Sequence, residues 1–205
     1  GGLNVKLENS PVIDRNGLNL VRANSQYADL GATNIGGTLT FAVWCNVHDY
    51  GVWQRLFDFG NGPDSDNIFL AAPKGAYQMF ITRGMIGASI KIELEATQNV
   101  SYGNWTHVVL VIDQTSDTVS MYINGVLDNS NTPSDYLTVM ARTNSYIGRS
   151  NWNDAYLDGQ IKSFNIWERA LSASEIDELY NYGRDCNLAA EQPPALENKQ
   201  FHTTG

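Results

Sequence analysis

Tyr146-Ile147-Gly148-Arg149-Ser150-Asn151-Trp152, then Leu157-Asp158-Gly159-Gln160-Ile161 and Phe164-Asn165-Ile166-Trp167, is the stretch that decides the fold class. It reads as a strand, a polar rim loop carrying an indole, and a second, longer strand. Behind it, Arg169-Ala170-Leu171-Ser172-Ala173-Ser174-Glu175-Ile176 opens the one convincing helix. Ser172 caps its first turn while Glu175 reaches back, an S-x-x-E capping box. Ile176, Leu179 and Tyr180 form the apolar stripe that docks it, and Gly183 is expected to end it.

Upstream, short strand-like runs recur between turn signals. Leu39, Phe41, Val43, Cys45 and Val47 alternate with Thr40, Ala42, Trp44 and Asn46, the period-2 pattern of a half-buried strand. Trp44 breaks the polar face, so either a second layer covers it or it lines a groove. Further strands are expected at 56–59, 68–70, 77–82 and 90–94, with a loop over 61–67. The run 105–112 is apolar on both parities, which places it centrally and covers both its faces. Val119, Met121 and Ile123 run into Asn124-Gly125, a hairpin signal because both turn positions need positive φ. Many strands and one terminal helix predict an all-β, two-sheet antiparallel sandwich of jelly-roll type. No internal repeat is present.

The 205 residues carry a formal net charge of −9, which removes the electrostatic footprint for nucleic acid and disfavours anionic membranes. The acidity reads either as solubility or as carboxylates clustered for calcium. No run reaches the length of a transmembrane helix, and no signal peptide opens the chain. Gly1-Gly2 reads as a mature or trimmed start. Residues 1–186 are expected to form the sandwich, and 187–205 a flexible tail, since 189–200 has linker composition. Such a tail implies a module tethered to other domains of a secreted or cell-surface protein. Cys45 and Cys186 are either a disulfide pinning the C-terminus, which would suit secretion, or two separate thiols. Asn99-Val100-Ser101 and Asn104-Trp105-Thr106 are glycosylation sequons, relevant only in a eukaryotic secretory host.

Two more blocks carry a family likeness. Trp53-Gln54-Arg55-Leu56-Phe57-Asp58-Phe59-Gly60 is similar to an "RIFDFG" strand. Gly103-Asn104-Trp105-Thr106-His107-Val108-Val109 with Met121-Tyr122-Ile123-Asn124-Gly125 is similar to a "G-x-W-T-H-V … Y-V-D-G" pair. With the C-terminal run, their order resembles the laminin-G-like, concanavalin A-like lectin/glucanase superfamily over roughly residues 18 to 182. The resemblance implies the jelly roll strongly and says little about what is bound. Similar modules are appended to polysaccharide-degrading enzymes and to adhesins.

The superfamily includes glycosidases and lyases, so catalysis needs weighing. Its glucanase members carry E-x-D-x-x-E on one strand; Glu93-Leu94-Glu95-Ala96-Thr97-Gln98 lacks the third acid. An edge strand with two solvated glutamates explains that segment better. His48, His107 and His202 are scattered, and no nucleophile elbow, H-E-x-x-H, C-x-x-C or phosphate loop occurs. No enzyme is expected.

For calcium, which takes six to eight oxygens, the densest supply is Asp58, Asn61, Asp64 and Asp66. A second arrangement, implied by the resemblance, joins Asp29 to Asp158, where many members hold a structural calcium. The bland alternative is that Asp and Asn serve turns. Arg149 is expected to pair with Asp58 or to meet a ligand. Sugar recognition needs an aromatic plane flanked by hydrogen-bonding groups. Asn151, Trp152, Asp154 and Tyr156 supply these on one loop, and Tyr50, Trp53 and Gln54 on another, although Trp152 also reads as packing. The expectation is a non-catalytic, extracellular glycan-binding module, with calcium as candidate structural ion and multivalency improving weak single-site affinity. The alternatives are an adhesion or spacer module contacting protein, and a divergent hydrolase or lyase using Glu93 or Glu95.

Overall fold

The computed structural model describes residues 5–82, 90–133, 137–185 and 199–200. Two large antiparallel sheets stack face to face. In the first, β1 (Lys6–Glu8) lies beside β4 (Tyr27–Asp29), followed by β15 (Asn144–Ile147), β7 (Arg55–Gly60), β8 (Ile68–Ala71), β9 (Ala76–Thr82) and β10 (Ile90–Asn99). In the second, β13 (Val126–Asn131) leads to β12 (Thr118–Ile123), β11 (Trp105–Asp113), β6 (Leu39–Val47), β16 (Gly159–Trp167), β3 (Gly17–Leu20) and β2 (Val12–Asp14). The two-residue β17 (Lys199–Gln200) adds to β16, and β5 (Thr33–Ile35) pairs with β14 (Met140–Arg142) as a separate ribbon. The expected jelly-roll sandwich is the observed architecture.

Strand alternation builds the core. Leu39, Phe41, Val43, Cys45 and Val47 of β6 all face the space between the sheets. There Phe41 stacks on Phe57 at 4.8 Å, and Phe164 meets Phe57 edge-on at 5.3 Å. Each such side chain contributes about 1.5–3 kcal/mol by leaving water. β11 is covered on both faces, as its sequence implies: Val108, Leu110 and Ile112 enter the core, while Val109 and Val111 pack outward. Asn124 and Gly125 take φ of 52° and 82° and turn β12 into β13. β10 is an edge strand with Glu93 and Glu95 exposed.

The helix α1 (Ala173–Asp185) covers the outer face of the second sheet, with Ile176 buried against Val109, Val111 and Trp167. Its capping box forms as read: Glu175 accepts from Ser172 N–H at 2.8 Å, and Ser172 Oγ accepts from Glu175 N–H at 3.3 Å. Gly183, expected to end the helix, lies inside it. A Cβ there would sit 2.1 Å from Trp44 Nε1, so close packing against the sheet requires this glycine. Both alternatives for Trp44 hold, since Tyr180 stacks on it at 5.7 Å and it also lines a hollow. Cys45 is a free, buried thiol near Tyr77. It points between the sheets, away from the face that carries α1; Cys186 lies outside the described residues. Among those residues no helix is long and apolar enough to cross a membrane.

Candidate functional site

The site grows from an irregularity in β7. A register shift between Arg55 and Phe57 lets Leu56 and Phe57 both enter the core. That bulge puts Arg55 and Asp58 on the same outer face, although three-residue spacing in a regular strand would oppose them. Asp58 is fully buried. It accepts from the Asn151 backbone N–H at 2.9 Å, Asn151 Nδ2 at 2.9 Å and Asn67 Nδ2 at 3.0 Å, with Arg55 Nε at 3.7 Å. Burial raises its pKa, opposed by the Asn151 donors and the Arg55 charge. Arg55, 3% exposed, also pairs with Asp154 at 3.1 Å. Burying such charges costs about what their attraction returns. The network therefore orients the loop 150–156 more than it stabilises the fold.

Around Arg55 gather the aromatic side chains. Its guanidinium carbon lies 4.0 Å from the Phe69 ring centroid, 5.5 Å from that of Trp152 and 5.6 Å from that of Trp53. Trp152 meets Phe69 edge-on at 5.5 Å and packs with Ala71, forming an apolar patch separate from the core. Its loop is held internally, Ser150 Oγ donating to Asp154 at 2.9 Å and accepting from Trp152 N–H at 3.1 Å. Ala155 N–H donates to Val52 O at 3.1 Å and ties this loop to the one carrying Trp53. Trp53 occupies the left-handed region at φ 49° and is 39% exposed. For a bulky residue that conformation costs on the order of 1–3 kcal/mol, and such strain concentrates at binding sites. Three polar atoms on this side of the sheet, Arg55 Nε, Asn151 Oδ1 and Gln78 Oε1, are buried without a hydrogen-bond partner among the described residues. Gln78 belongs to the same face because it pairs in register with Ala71, and Ala71 with Arg55. Stacking surface beside unsatisfied polar atoms suits a ligand that is flat, apolar on one face and rich in hydroxyls.

The two loops proposed from sequence as separate platforms thus converge on one cation, and neither indole is interred. Asp154 belongs to this group through Arg55, and Asn151 through Asp58. Tyr50 is 40% exposed on the Trp53 loop. Gln54 is a correction: fully buried, it donates to Asp49 O at 2.9 Å and Ala72 O at 3.0 Å, and it cannot meet a ligand. Arg149 is another. It donates to Tyr27 Oη at 2.8 Å and lies over Tyr27 and Tyr146 at 4.7 and 4.6 Å, so the arginine beside Asp58 is Arg55. Tyr156 packs near Tyr27 at 5.9 Å. Sequence reading missed Arg55, Phe69 and Gln78 as site residues. Their signal lay in the bulge and cross-strand register, which no local pattern displays.

The calcium candidates do not converge either. Asp58 is enclosed by N–H donors, the opposite of a cation's coordination shell. Asp29 accepts from Gly31 N–H at 2.8 Å on the first sheet, while Asp158 faces His48 at 3.5 Å beside the second. Asp64 and Asp66 occupy left-handed turn positions, and Asn61 accepts from Thr143 N–H at 2.9 Å. Among the described residues, no three His, Cys, Asp or Glu side chains gather as metal ligands would. Turns hold Asp64 and Asp66, while Asp29, Asp58 and Asn61 accept from N–H groups.

A family model described as the concanavalin A-like lectin/glucanases superfamily, of laminin G type, matches residues 22–177. No curated protein sequence matches the chain. Several solved structures share the fold at low identity. The CBM40 domain of a Ruminococcus gnavus sialidase, bound to α2,3-sialyllactose, is 17% identical with a TM-score of 0.62, covering 71% of this chain and 83% of that one. Domain 4 of AbnA, a GH43 extracellular arabinanase from Geobacillus stearothermophilus in complex with arabinotriose, is 18% identical with a TM-score of 0.65, covering 85% and 81%. The receptor-binding domain of botulinum neurotoxin mosaic serotype C/D is 16% identical with a TM-score of 0.65, covering 87% of this chain and 46% of that one.

Proposed function

Because the chain belongs to the concanavalin A-like lectin/glucanase superfamily, we propose that it is a non-catalytic carbohydrate-binding module of an extracellular protein. Its binding platform is formed by Trp53 and Trp152 over Arg55. The observation that carries this reading is the convergence of two partly exposed indoles from separate loops, one in a strained backbone conformation, over the buried Arg55. The indoles would stack on the apolar face of a sugar ring, with the exposed Tyr50 and the half-buried Asp154 of the same two loops meeting ring hydroxyls. The arabinotriose and sialyllactose complexes of similarly folded modules support a glycan as ligand class. The exposed Glu93 and Glu95 stand on the edge strand of the same sheet, Glu95 in register with Gln78.

Glycan-array binding followed by titration of the best ligand tests the proposal. Trp53→Ala and Trp152→Ala are each expected to weaken binding about tenfold, the equivalent of about 1.4 kcal/mol, with unchanged circular dichroism. Full-strength binding by both variants would reject the platform. Release of reducing ends by the native protein, abolished in Glu93→Gln, would replace the binding module with an enzyme.

A further inference from the structure

The two loops that carry Trp53 and Trp152 share one polar node. Arg22, half-buried in the single 3-10 turn Arg22–Asn24, reaches both of them. Its Nε donates to Tyr156 O at 3.0 Å on the Trp152 loop. Its Nη2 donates to Asp49 O and to Gln54 Oε1, each at 3.1 Å, on the Trp53 loop. Gln54 completes the node from its fully buried position. Its Nε2 donates to Asp49 O and Ala72 O, and its Oε1 also accepts from Asp158 N–H at 3.4 Å. Both donors and both lone pairs of that amide are thereby used. Gly51 leaves room for the guanidinium, since a Cβ there would lie 2.8 Å from Arg22 Nη2.

This node bears on the strain at Trp53. The turn 51–54 closes with Gln54 N–H donating to Gly51 O at 3.2 Å, and Trp53 is its third residue at φ 49°. Positive φ at that position ordinarily calls for Gly or Asn. A bulky residue stays in such a conformation only where its surroundings over-determine it. Here Arg22 and Gln54 fix the turn from both sides, at Asp49 and at Gln54 itself, and the Ala155 N–H on Val52 O joins it to the opposite loop. The cationic donor comes from a residue 134 positions away from Tyr156, so neither loop sets this geometry by itself.

We propose that Arg22 and Gln54 are the positioning residues of the aromatic platform. By tying one loop to the other, they hold the two indoles at the spacing a sugar ring needs before it arrives. The inference rests on the reading of that platform as a glycan site. Such preorganisation improves affinity because the loops need not be ordered when the ligand binds.

Two variants test this: Arg22→Met, which keeps the stem and removes the donors, and Gly51→Ala, which displaces the guanidinium and keeps its charge. Amide hydrogen exchange without ligand is expected to quicken about tenfold or more at Ala155 and Gln54 in both. The amides of β11, which exchange when the whole sandwich opens, should change by a much smaller factor. Both variants are also expected to bind the strongest glycan of the array about fivefold or more weakly. Unchanged exchange at Ala155 and Gln54 in both variants overturns the proposal, as does undiminished glycan binding in both. Equal quickening of the β11 amides overturns it too, leaving Arg22 a residue of general stability. Undiminished binding in Trp53→Ala and Trp152→Ala is a separate result: it rejects the platform, and with it the role of this node, whatever the exchange rates.

Discussion

His107 shows how one residue ties the fold to pH. It is 2% exposed, stacked against Trp44 at 5.1 Å, with Tyr180 beyond at 6.2 Å, and its Nδ1 has no partner among the described residues. Burial lowers its pKa from 6.5 to about 4. Between those values the unfolded chain binds a proton that the folded one refuses, so stability falls as pH drops. Unfolding free energy measured in urea is expected to decline by about 3 kcal/mol in all as pH falls through that window. His107→Phe should lose that slope. Glu175 acts in a lower window: Arg169 first, then the Ser172 N–H, hold its pKa near 2, and its contribution is kept until pH falls below its usual 4.5. An unaltered slope in His107→Phe between pH 6.5 and 4 would remove the assignment.

At the scale of the element, α1 is placed by a cap at one end and a missing side chain near the other. In an ordinary helix interior Gly→Ala gains about 1 kcal/mol. Gly183→Ala reverses the sign, because the new Cβ meets Trp44 Nε1 at 2.1 Å and the Trp44–His107–Tyr180 stack must move. Overpacking of that kind costs about 1–3 kcal/mol. Denaturant titration should show the variant less stable than its parent, and any gain in stability would contradict the packing described. The bulge in β7 works on the same scale: one inserted residue decides which arginine faces Asp58.

Over the whole molecule, the sandwich presents two differently equipped outer faces. One carries the aromatic platform around Arg55, and the other carries α1 and the hollow beside Trp44. The acidic side chains that suggested calcium are spread over both sheets and engaged by N–H donors or turns. A cation that preferred the native state would raise the melting temperature. Melting curves in calcium and in chelator are therefore expected to agree within about 1 °C. A rise of several degrees in calcium would expose a site that this arrangement of carboxylates does not explain.

Local pattern sufficed for much of this. Alternation in β6, the Asn124-Gly125 turn, the double-sided β11 and the Ser172–Glu175 cap depend on residues near in sequence, and each forms as its residues imply. The indoles of Trp53 and Trp152 stood out as candidates for the same reason, being large side chains in polar loops. Their meeting over Arg55, the burial of Gln54, the turning of Arg149 toward Tyr27 and the role of Gly183 belong to tertiary structure alone. Each depends on register between distant strands or on contact between a helix and a sheet. A single inserted residue can shift such register without changing the local alternation that a sequence displays.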